Sequence, residues 1–387
     1  MQESSERLAR EGHNVTVYTT DADDIELFWR RGFRRIPRGE DEHNGVSIHR
    51  FPVRHLPLHF PLTLGLSMLP IRAVDLRFHQ PSPFVPDLFR AKSDGFDVVH
   101  TSSLPYNSIL FAGLHLARRS GARLITTPHV HTGQSGSSRV SRTYLRPAQQ
   151  WLLHQSQLIV THTKLEADYL VGRGFSSERI RVIPCGINPR ELAGGNGLRF
   201  RTRHGLPEHE AIVFYIGMSA YDKGTHHLVR AMKLLWSRGV QATLVLAGAS
   251  QPHFRRFWNS QPRPVQQRTL VLGAISEADK RDLLAAGQVF AMPSHNETFG
   301  IVYLEAWAYG VPVIGANAGG IPDVITHGEN GLLVEFGDIA RLAASIERLL
   351  EDKNLRTRLG ETGRGLVLQR WTWDRVFDDI RAMYTST

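Results

Sequence analysis

The sequence predicts an α/β protein made of two doubly wound domains that face a common cleft. Short apolar runs typical of buried strands alternate with helical patterns along most of the chain. A fresh series of such units starts at Ala211, after the glycine-rich stretch from Asn188 to Gly197, which is typical of a linker. The 387 residues suffice for two domains of ordinary size. Because strand–helix–strand units pair their strands in parallel, each series should form one open parallel sheet.

Residues 1–190 are assigned to the first, Rossmann-like domain. The segment from Glu3 to Arg10 predicts the end of an amphipathic helix, which Gly12 caps before a strand at Val15. Since a doubly wound domain should place a strand ahead of that helix, we expect the amino terminus to be incomplete, with the first strand missing. The remaining predicted elements are a helix over 107–120 and strands over 96–100, 123–127, 157–161 and 180–184.

Residues 191–372 are assigned to a second Rossmann-like domain, with predicted strands over 211–217, 242–248, 270–273, 288–292, 311–315 and 332–334. A final helix within 373–387 carries apolar residues at helical spacing from Val376 to Tyr384. We expect this helix to pack back on the first domain and complete it. The alternative is a helix packed on the second domain only.

Composition and charge bound the function class. A single cysteine, Cys185, excludes an internal disulfide, and no apolar run approaches the ~20 residues that span a bilayer. With no secretory signal, a cytoplasmic protein is expected. The net charge of +9 favours an acidic partner, but no nucleic-acid recognition module is present. The positive charge is either solvated at the protein surface or attracts the protein to an anionic membrane. The second case would place the protein peripherally on the inner face of that membrane.

Two glutamates eight positions apart, Glu297 and Glu305, are the most informative feature. A short apolar strand precedes them, and a helix from Ile301 to Tyr309 contains the second one. The free N–H groups of Phe299, Gly300 and Ile301 at the helix start would bind phosphate oxygens. The two carboxylates would then accept hydrogen bonds from hydroxyl groups. A phosphate site flanked by two acceptors of hydroxyl groups predicts that the ligand is a sugar nucleotide. The alternative is a surface helix with incidental acids.

Three further segments carry a family resemblance, at 179–187, 318–324 and 328–334. Together with the Glu-x7-Glu segment, in this order, they resemble glycosyltransferase family 4, which has the two-domain GT-B fold. The resemblance covers nearly the whole chain. It implies a retaining enzyme that moves a hexose from a UDP- or GDP-sugar to a lipid-linked, glycan or small-molecule acceptor, without a metal or other cofactor.

By that resemblance Glu305 would hold the ribose hydroxyls and Glu297 the hydroxyls of the donor sugar. Lys223, between Asp222 and Gly224, matches the lysine that binds the diphosphate; on local sequence alone it could be a solvated turn residue. His129, just past a strand, matches a histidine near the reacting centre, although histidines there are often only satisfied polar groups. We expect His129 and Glu297 to position the substrates. Further donor-binding residues are expected at Thr298, Phe299, Gly300, Ile301, Gly217 and Gly273.

Two departures from the family pattern bear on function. Met218 stands where the family usually has an arginine, and we expect the first strand with its glycine-rich loop to be missing. A degenerate, non-catalytic protein that binds a sugar nucleotide or a membrane surface is therefore an alternative, as is a GT-B epimerase or phosphorylase. The pairs His129-x-His131 and His226-His227 lack convincing further ligands, so no metal site is expected. Asp21, Asp23 and Asp24 are expected only to be solvated.

Overall fold

The computed structural model describes residues 2–55, 83–93, 95–102, 104, 106–131 and 144–385. In this part of the chain the first domain contains two sheets. The smaller has the order β1-β3-β2, with β1 (Val15–Thr20) parallel to β3 (Val46–Phe51) and β2 (Gly39–His43) antiparallel to it. The larger is parallel, in the order β4 (Val98–Ser102), β5 (Arg123–Thr127), β6 (Leu158–Thr161) and β7 (Ile180–Val182). A strand ahead of the first helix stays a prediction.

Four α-helices belong to the first domain in the described residues. They are α1 (Gln2–Arg10), α2 (Asn107–Ser120), α3 (Pro147–His154) and α4 (Lys164–Val171). The predicted bounds of α2 match its observed bounds, because Gly121 in the left-handed conformation (φ 70°) ends the helix. Thr163 caps α4 by accepting a hydrogen bond from the N–H of Glu166.

The second domain holds one six-stranded parallel sheet in the order β10-β9-β8-β11-β12-β13. Its strands are β8 (Ala211–Ile216), β9 (Ala242–Ala247), β10 (Thr269–Gly273), β11 (Val289–Met292), β12 (Val313–Ala316) and β13 (Gly331–Val334). Strands β9, β11 and β12 are buried along their whole length, which explains why they appear in the sequence as continuous apolar runs. Since β8 and β11 are neighbours in space but not in sequence, the strand order reverses between them.

Eleven helices follow the first domain in the described residues. They are α5 (Pro189–Leu192), α6 (Gly197–His204), α7 (Thr225–Ser237), α8 (Pro252–Asn259), α9 (Arg263–Gln267), α10 (Glu277–Ala286), α11 (Ile301–Ala308), α12 (Ile321–Val324), α13 (Ile339–Glu351), α14 (Lys353–Arg370) and α15 (Trp373–Thr385).

The segment from Asn188 to Gly197 differs from the linker that its composition predicts. It contains α5 and is packed against the second domain: the Gly195 N–H donates to the Tyr309 hydroxyl at 3.2 Å. A Cβ on Gly195 would lie 2.2 Å from the carbonyl oxygen of Arg281. The glycines here permit close approach between backbones.

The last helix, α15, packs on the first domain. Its buried residues Val376, Phe377, Ile380 and Met383 share a core with Leu8, Ile125, Leu158, Val160 and Ile183. Arg7 of α1 donates to Asp374 at 2.8 Å. The chain therefore returns from the second domain to cover the larger sheet of the first.

Asp21 corrects the expectation of a solvated acidic loop. Its side chain is fully buried, pairs with Arg35 and Arg38, and accepts the Val53 N–H at 2.9 Å. Burial alone would raise the pKa of Asp21, but the hydrogen bonds and the arginine charges outweigh it and lower the pKa. Asp21 therefore fastens the loops that follow β1 and β3.

Candidate active site

A crevice at the carboxyl edge of the six-stranded sheet, between β8 and β11, is where ligands of open α/β sheets bind. The loops that follow these two strands meet there, and a Cβ on Gly224 would lie 2.2 Å from the carbonyl oxygen of Pro293. The predicted glycines lie at strand ends on this edge. The Gly217 N–H donates to Ala247 at 2.9 Å, and the Gly273 carbonyl accepts from Gly248 at 2.6 Å.

Lys223 and Glu297 form an ion pair in this crevice. The Lys223 ammonium donates to the Glu297 carboxylate and to the Asn296 carbonyl oxygen, both at 2.9 Å. The side chains are 25% and 20% exposed, so the pair is sheltered but reachable. Two residues predicted separately, 74 positions apart, are thus brought together. The sequence had suggested only hydroxyl partners for Glu297, whereas here one carboxylate oxygen accepts from a lysine.

The start of α11 lies next to this pair. Gly300 has φ 84°, a left-handed conformation that other residues rarely adopt, and it directs the chain from the Glu297 loop into the helix. Phe299 is buried against Trp371, with ring centroids 6.1 Å apart, while Ile301 is 42% exposed. In the predicted phosphate-binding segment, Phe299 therefore packs into the protein core, whereas the side chain of Ile301 is exposed to solvent.

Gly319 and Gly320, just before α12, pack closely against the backbone of the Glu297 loop. The Gly320 N–H donates to the Glu297 carbonyl at 2.9 Å. A Cβ on Gly320 would lie 1.9 Å from the carbonyl oxygen of Thr298, and one on Gly319 would lie 2.3 Å from that of Glu297. Side chains at these two positions would displace the backbone of the predicted donor-binding residues.

Glu305 lies one turn into α11 and contacts a lysine that the sequence reading missed. Its Oε1 accepts from Lys280 at 2.9 Å, and its Oε2 is buried without a hydrogen-bond partner. Burial raises the pKa of Glu305, and the Lys280 charge opposes that effect. Lys280 also donates to Glu277 at 2.8 Å. No local motif marks Lys280; the scarcity of lysine in the chain was its only signal.

His129 follows β5 with φ 52°, an uncommon backbone conformation for a residue other than glycine. Its ring centroid is 4.9 Å from that of His162. Burial, followed by the neighbouring His162 and His131, lowers the pKa of His129 to about 3. The imidazole is therefore neutral at pH 7 and can exchange hydrogen bonds with hydroxyl groups.

Glu166 holds the His129 loop, and the sequence reading missed it. Its carboxylate accepts the Val130 N–H at 2.6 Å and the His162 N–H at 3.1 Å, and only 2% of the residue is exposed. Burial raises its pKa to about 7, and the two N–H bonds work against that rise. A buried acid at the start of α4 thus fixes the backbone on both sides of the His129–His162 contact.

His131 lies where the two domains meet. Burial, and then the charge of Lys223, lowers its pKa to about 4, while Glu297 acts to raise it. Because His131 belongs to the first domain, the charges of Lys223 and Glu297 act on it across the domain boundary. The domains also touch directly, since the Leu165 N–H donates to Asp323 at 2.6 Å.

The other histidine pair is part of an aromatic cluster. His226 stacks on His253 with centroids 5.5 Å apart, and His227 meets Phe336 edge-on at 4.8 Å.

Across the described part of the chain, no group of three or more His, Cys, Asp or Glu side chains is arranged to hold a metal ion. In the same residues, no helix combines the length and apolar character that a membrane span requires.

Two family models match the chain, "Glycosyl transferase 4-like domain" over residues 1–186 and "Glycosyl transferases group 1" over 198–366. A D-inositol 3-phosphate glycosyltransferase of Xylanimonas cellulosilytica is 31% identical over 319 residues, which are 76% of this chain and 73% of that protein. An uncharacterized glycosyltransferase of Methanocaldococcus jannaschii is 25% identical over 386 residues, 98% of this chain and 91% of that protein.

Solved structures share the fold. Sucrose-phosphate synthase from Thermosynechococcus elongatus superposes with a TM-score of 0.76 at 24% identity, covering 99% of this chain and 91% of that one. Anabaena HepE in complex with UDP-glucose gives a TM-score of 0.68 at 21% identity, covering 89% of this chain and 87% of that one.

The two facing domains and the matched relatives define a GT-B glycosyltransferase that uses a nucleotide-sugar donor. Within that class, the chain belongs to glycosyltransferase family 4. The predicted fold, family and enzyme class are confirmed. The individual roles assigned to Glu297, His129, Lys223 and the donor-binding residues stay predictions, although the structure brings Lys223 and Glu297 into contact.

Proposed function

We propose that this enzyme transfers a hexose from a UDP-sugar to an acceptor hydroxyl and retains the configuration at C1. The observation that carries the proposal is the Lys223–Glu297 ion pair beside the start of α11. Lys223 supplies a cation and the start of α11 supplies free backbone N–H groups for a diphosphate, and Glu297 supplies a carboxylate for sugar hydroxyls. The UDP complexes of the similarly folded HepE support uridine as the first base to test.

The reaction in this proposal depends on electrostatic stabilisation of the leaving group. The bond from C1 to the diphosphate oxygen breaks, and Lys223 with the α11 N–H groups stabilises the charge that develops there. The acceptor oxygen attacks C1 on the same face, and its proton passes to the departing phosphate. Glu297 and the neutral His129 orient hydroxyl groups, and no metal is assigned a role.

The acceptor is proposed to bind on the first-domain side, around His129 and His131. Relatives named D-inositol 3-phosphate glycosyltransferase and capsular polysaccharide biosynthesis glycosyltransferase suggest a polyol phosphate and a growing glycan as acceptors to test. A lipid-linked saccharide belongs in the same panel. Attachment to an anionic membrane surface stays a prediction.

The test is nucleotide release from UDP-glucose, UDP-N-acetylglucosamine and GDP-mannose, with and without each acceptor. Lys223→Met should lower kcat by roughly 10²–10³-fold, the usual effect of removing one group that stabilises developing charge. Lys233→Met is the matched control, because Lys233 is an exposed lysine on α7. Equal turnover of the two variants at saturating donor would overturn the role of Lys223. Donor binding without any turnover would favour the non-catalytic alternative.

A further inference from the structure

We propose that Lys280 is a positioning residue that holds Glu305 with one carboxylate oxygen free for the ribose of the donor, and so makes the site selective for a ribonucleotide. The inference rests on the proposed donor. Neither the family pattern nor the local sequence identifies Lys280 as part of the site.

The fold brings Lys280 to the crevice. Helix α10 begins after β10 and α11 begins after β11, so both helices start at the carboxyl edge of the sheet. Lys280, in the first turns of α10, reaches across to Glu305 on α11. The two side chains are only 15% and 12% exposed, whereas the other partner of Lys280, Glu277, is 74% exposed. The Lys280–Glu305 contact is therefore sheltered from solvent, whereas the Lys280–Glu277 contact is not.

The unpaired oxygen of Glu305 indicates a ligand. A buried acceptor without a donor is unfavourable, and such atoms are uncommon in folded proteins. Here Oε1 is held by Lys280 while Oε2 has no partner. A ribose offers two adjacent hydroxyl groups, one of which can donate to Oε2. An ammonium has three N–H donors, and two of those on Lys280 are engaged, so the third can donate to the neighbouring ribose oxygen.

Lys280 also keeps Glu305 charged. Burial, and to a lesser extent Glu277, raises the pKa of Glu305, and Lys280 lowers it through its charge and its hydrogen bond. Without Lys280 that pKa would rise further, and the carboxylate would be protonated at a higher pH. The acid limit of donor binding should therefore move upward in pH when Lys280 is removed.

Several other charged groups on the helices packed around α11 bond elsewhere. Arg364 and Glu361 of α14 pair with each other at 3.7 Å, and Gly310, beyond the end of α11, lies beside Glu361. On α10 and α5 the bonded groups are Asp282 with Arg199, Asp279 with Arg203, Arg281 with the Glu191 carbonyl, and Glu191 with Asn188.

The experiment measures dissociation constants of UDP and 2′-deoxy-UDP by calorimetry between pH 5 and 8. The wild-type protein should prefer UDP by roughly tenfold or more, the usual effect of a hydrogen bond to a charged group. Lys280→Met, which keeps most of the apolar stem, should lose most of that preference and lose UDP affinity at a higher pH. Lys280→Arg should restore both, and Glu277→Gln, which removes only the exposed partner of Lys280, should keep the preference for UDP.

An unchanged UDP to 2′-deoxy-UDP ratio in Lys280→Met, with an unchanged pH profile, would overturn the inference. A variant that binds both nucleotides more weakly by the same factor would indicate a purely structural role and would also overturn it. If the wild-type protein binds none of UDP, GDP and ADP, the proposed donor itself is wrong. The two failures are thus distinguishable.

Discussion

Gly320→Ala tests whether close backbone contact under the Glu297 loop sets the geometry of the donor site. Gly320 has φ −87°, which alanine adopts without strain, so the substitution acts through contact alone. The new Cβ would lie 1.9 Å from the Thr298 carbonyl oxygen, whereas ordinary contact begins at 3.4 Å. The loop must therefore move by more than about 1 Å, a displacement that can reduce catalysis by up to ~100-fold.

The assay is kcat/KM for the donor, with nucleotide release as the readout and thermal unfolding as a check on folding. We expect a loss of roughly 10–100-fold in Gly320→Ala. Gly365→Ala is the matched control, because a Cβ on Gly365 meets no heavy atom within 4 Å. If the two variants have kcat/KM values within about threefold of each other (roughly 0.7 kcal/mol in the barrier), the close contact does not position the loop.

Two further substitutions test the packing behind the site. The pKa of Glu166 is raised to about 7 from 4.5, so the folded state binds its proton more tightly than the unfolded state. Stability should be highest below pH 4.5 for this group and fall as pH rises through 7, by on the order of 3 kcal/mol. Glu166→Gln should reduce the difference in free energy of unfolding between pH 5 and pH 8, measured by urea unfolding. An unchanged difference would contradict the raised pKa of Glu166. In Gly363→Ala the new Cβ would lie 2.2 Å from the ring of the buried Trp307. We expect a lower Tm than wild type, from about 1–3 kcal/mol of overpacking, whereas Gly365→Ala should raise it, and equal shifts would refute the packing argument.

The sequence predicts most of the fold because most second-domain strands are buried on both faces. Such strands are short apolar runs without polar interruption, and glycines mark the ends of the helices between them. The hairpin of β2 and β3 was missed for the opposite reason. The five residues of β2, Gly-Glu-Asp-Glu-His, are all exposed and carry no apolar alternation. Only Asn44 and Gly45, both with positive φ, signalled its turn.

The candidate site divides in the same way. Glu297 and Glu305 could be proposed because they flank the start of a helix that follows a buried strand, and Lys223 and His129 because they match the family pattern. Lys280 and Glu166 could not, since tertiary packing alone gives them their meaning. Lys280 meets Glu305 across 25 residues, and Glu166 meets Val130 across 36. The error over Asp21 has the same origin, because its arginine partners lie 14 and 17 residues away.

The start of α4 joins the two halves of the candidate site. Glu166 holds the backbone that follows His129, and the preceding residue, Leu165, donates its N–H to Asp323 of the second domain. Asp323 lies three residues after Gly320, whose N–H holds the Glu297 carbonyl. A short path of hydrogen bonds from backbone N–H groups to the Glu166 and Asp323 carboxylates and the Glu297 carbonyl therefore connects the His129 loop to the Glu297 loop. Because none of these bonds uses the side chain of His129 or Glu297, they can align the two domains without occupying the two side chains that are predicted to face the substrates.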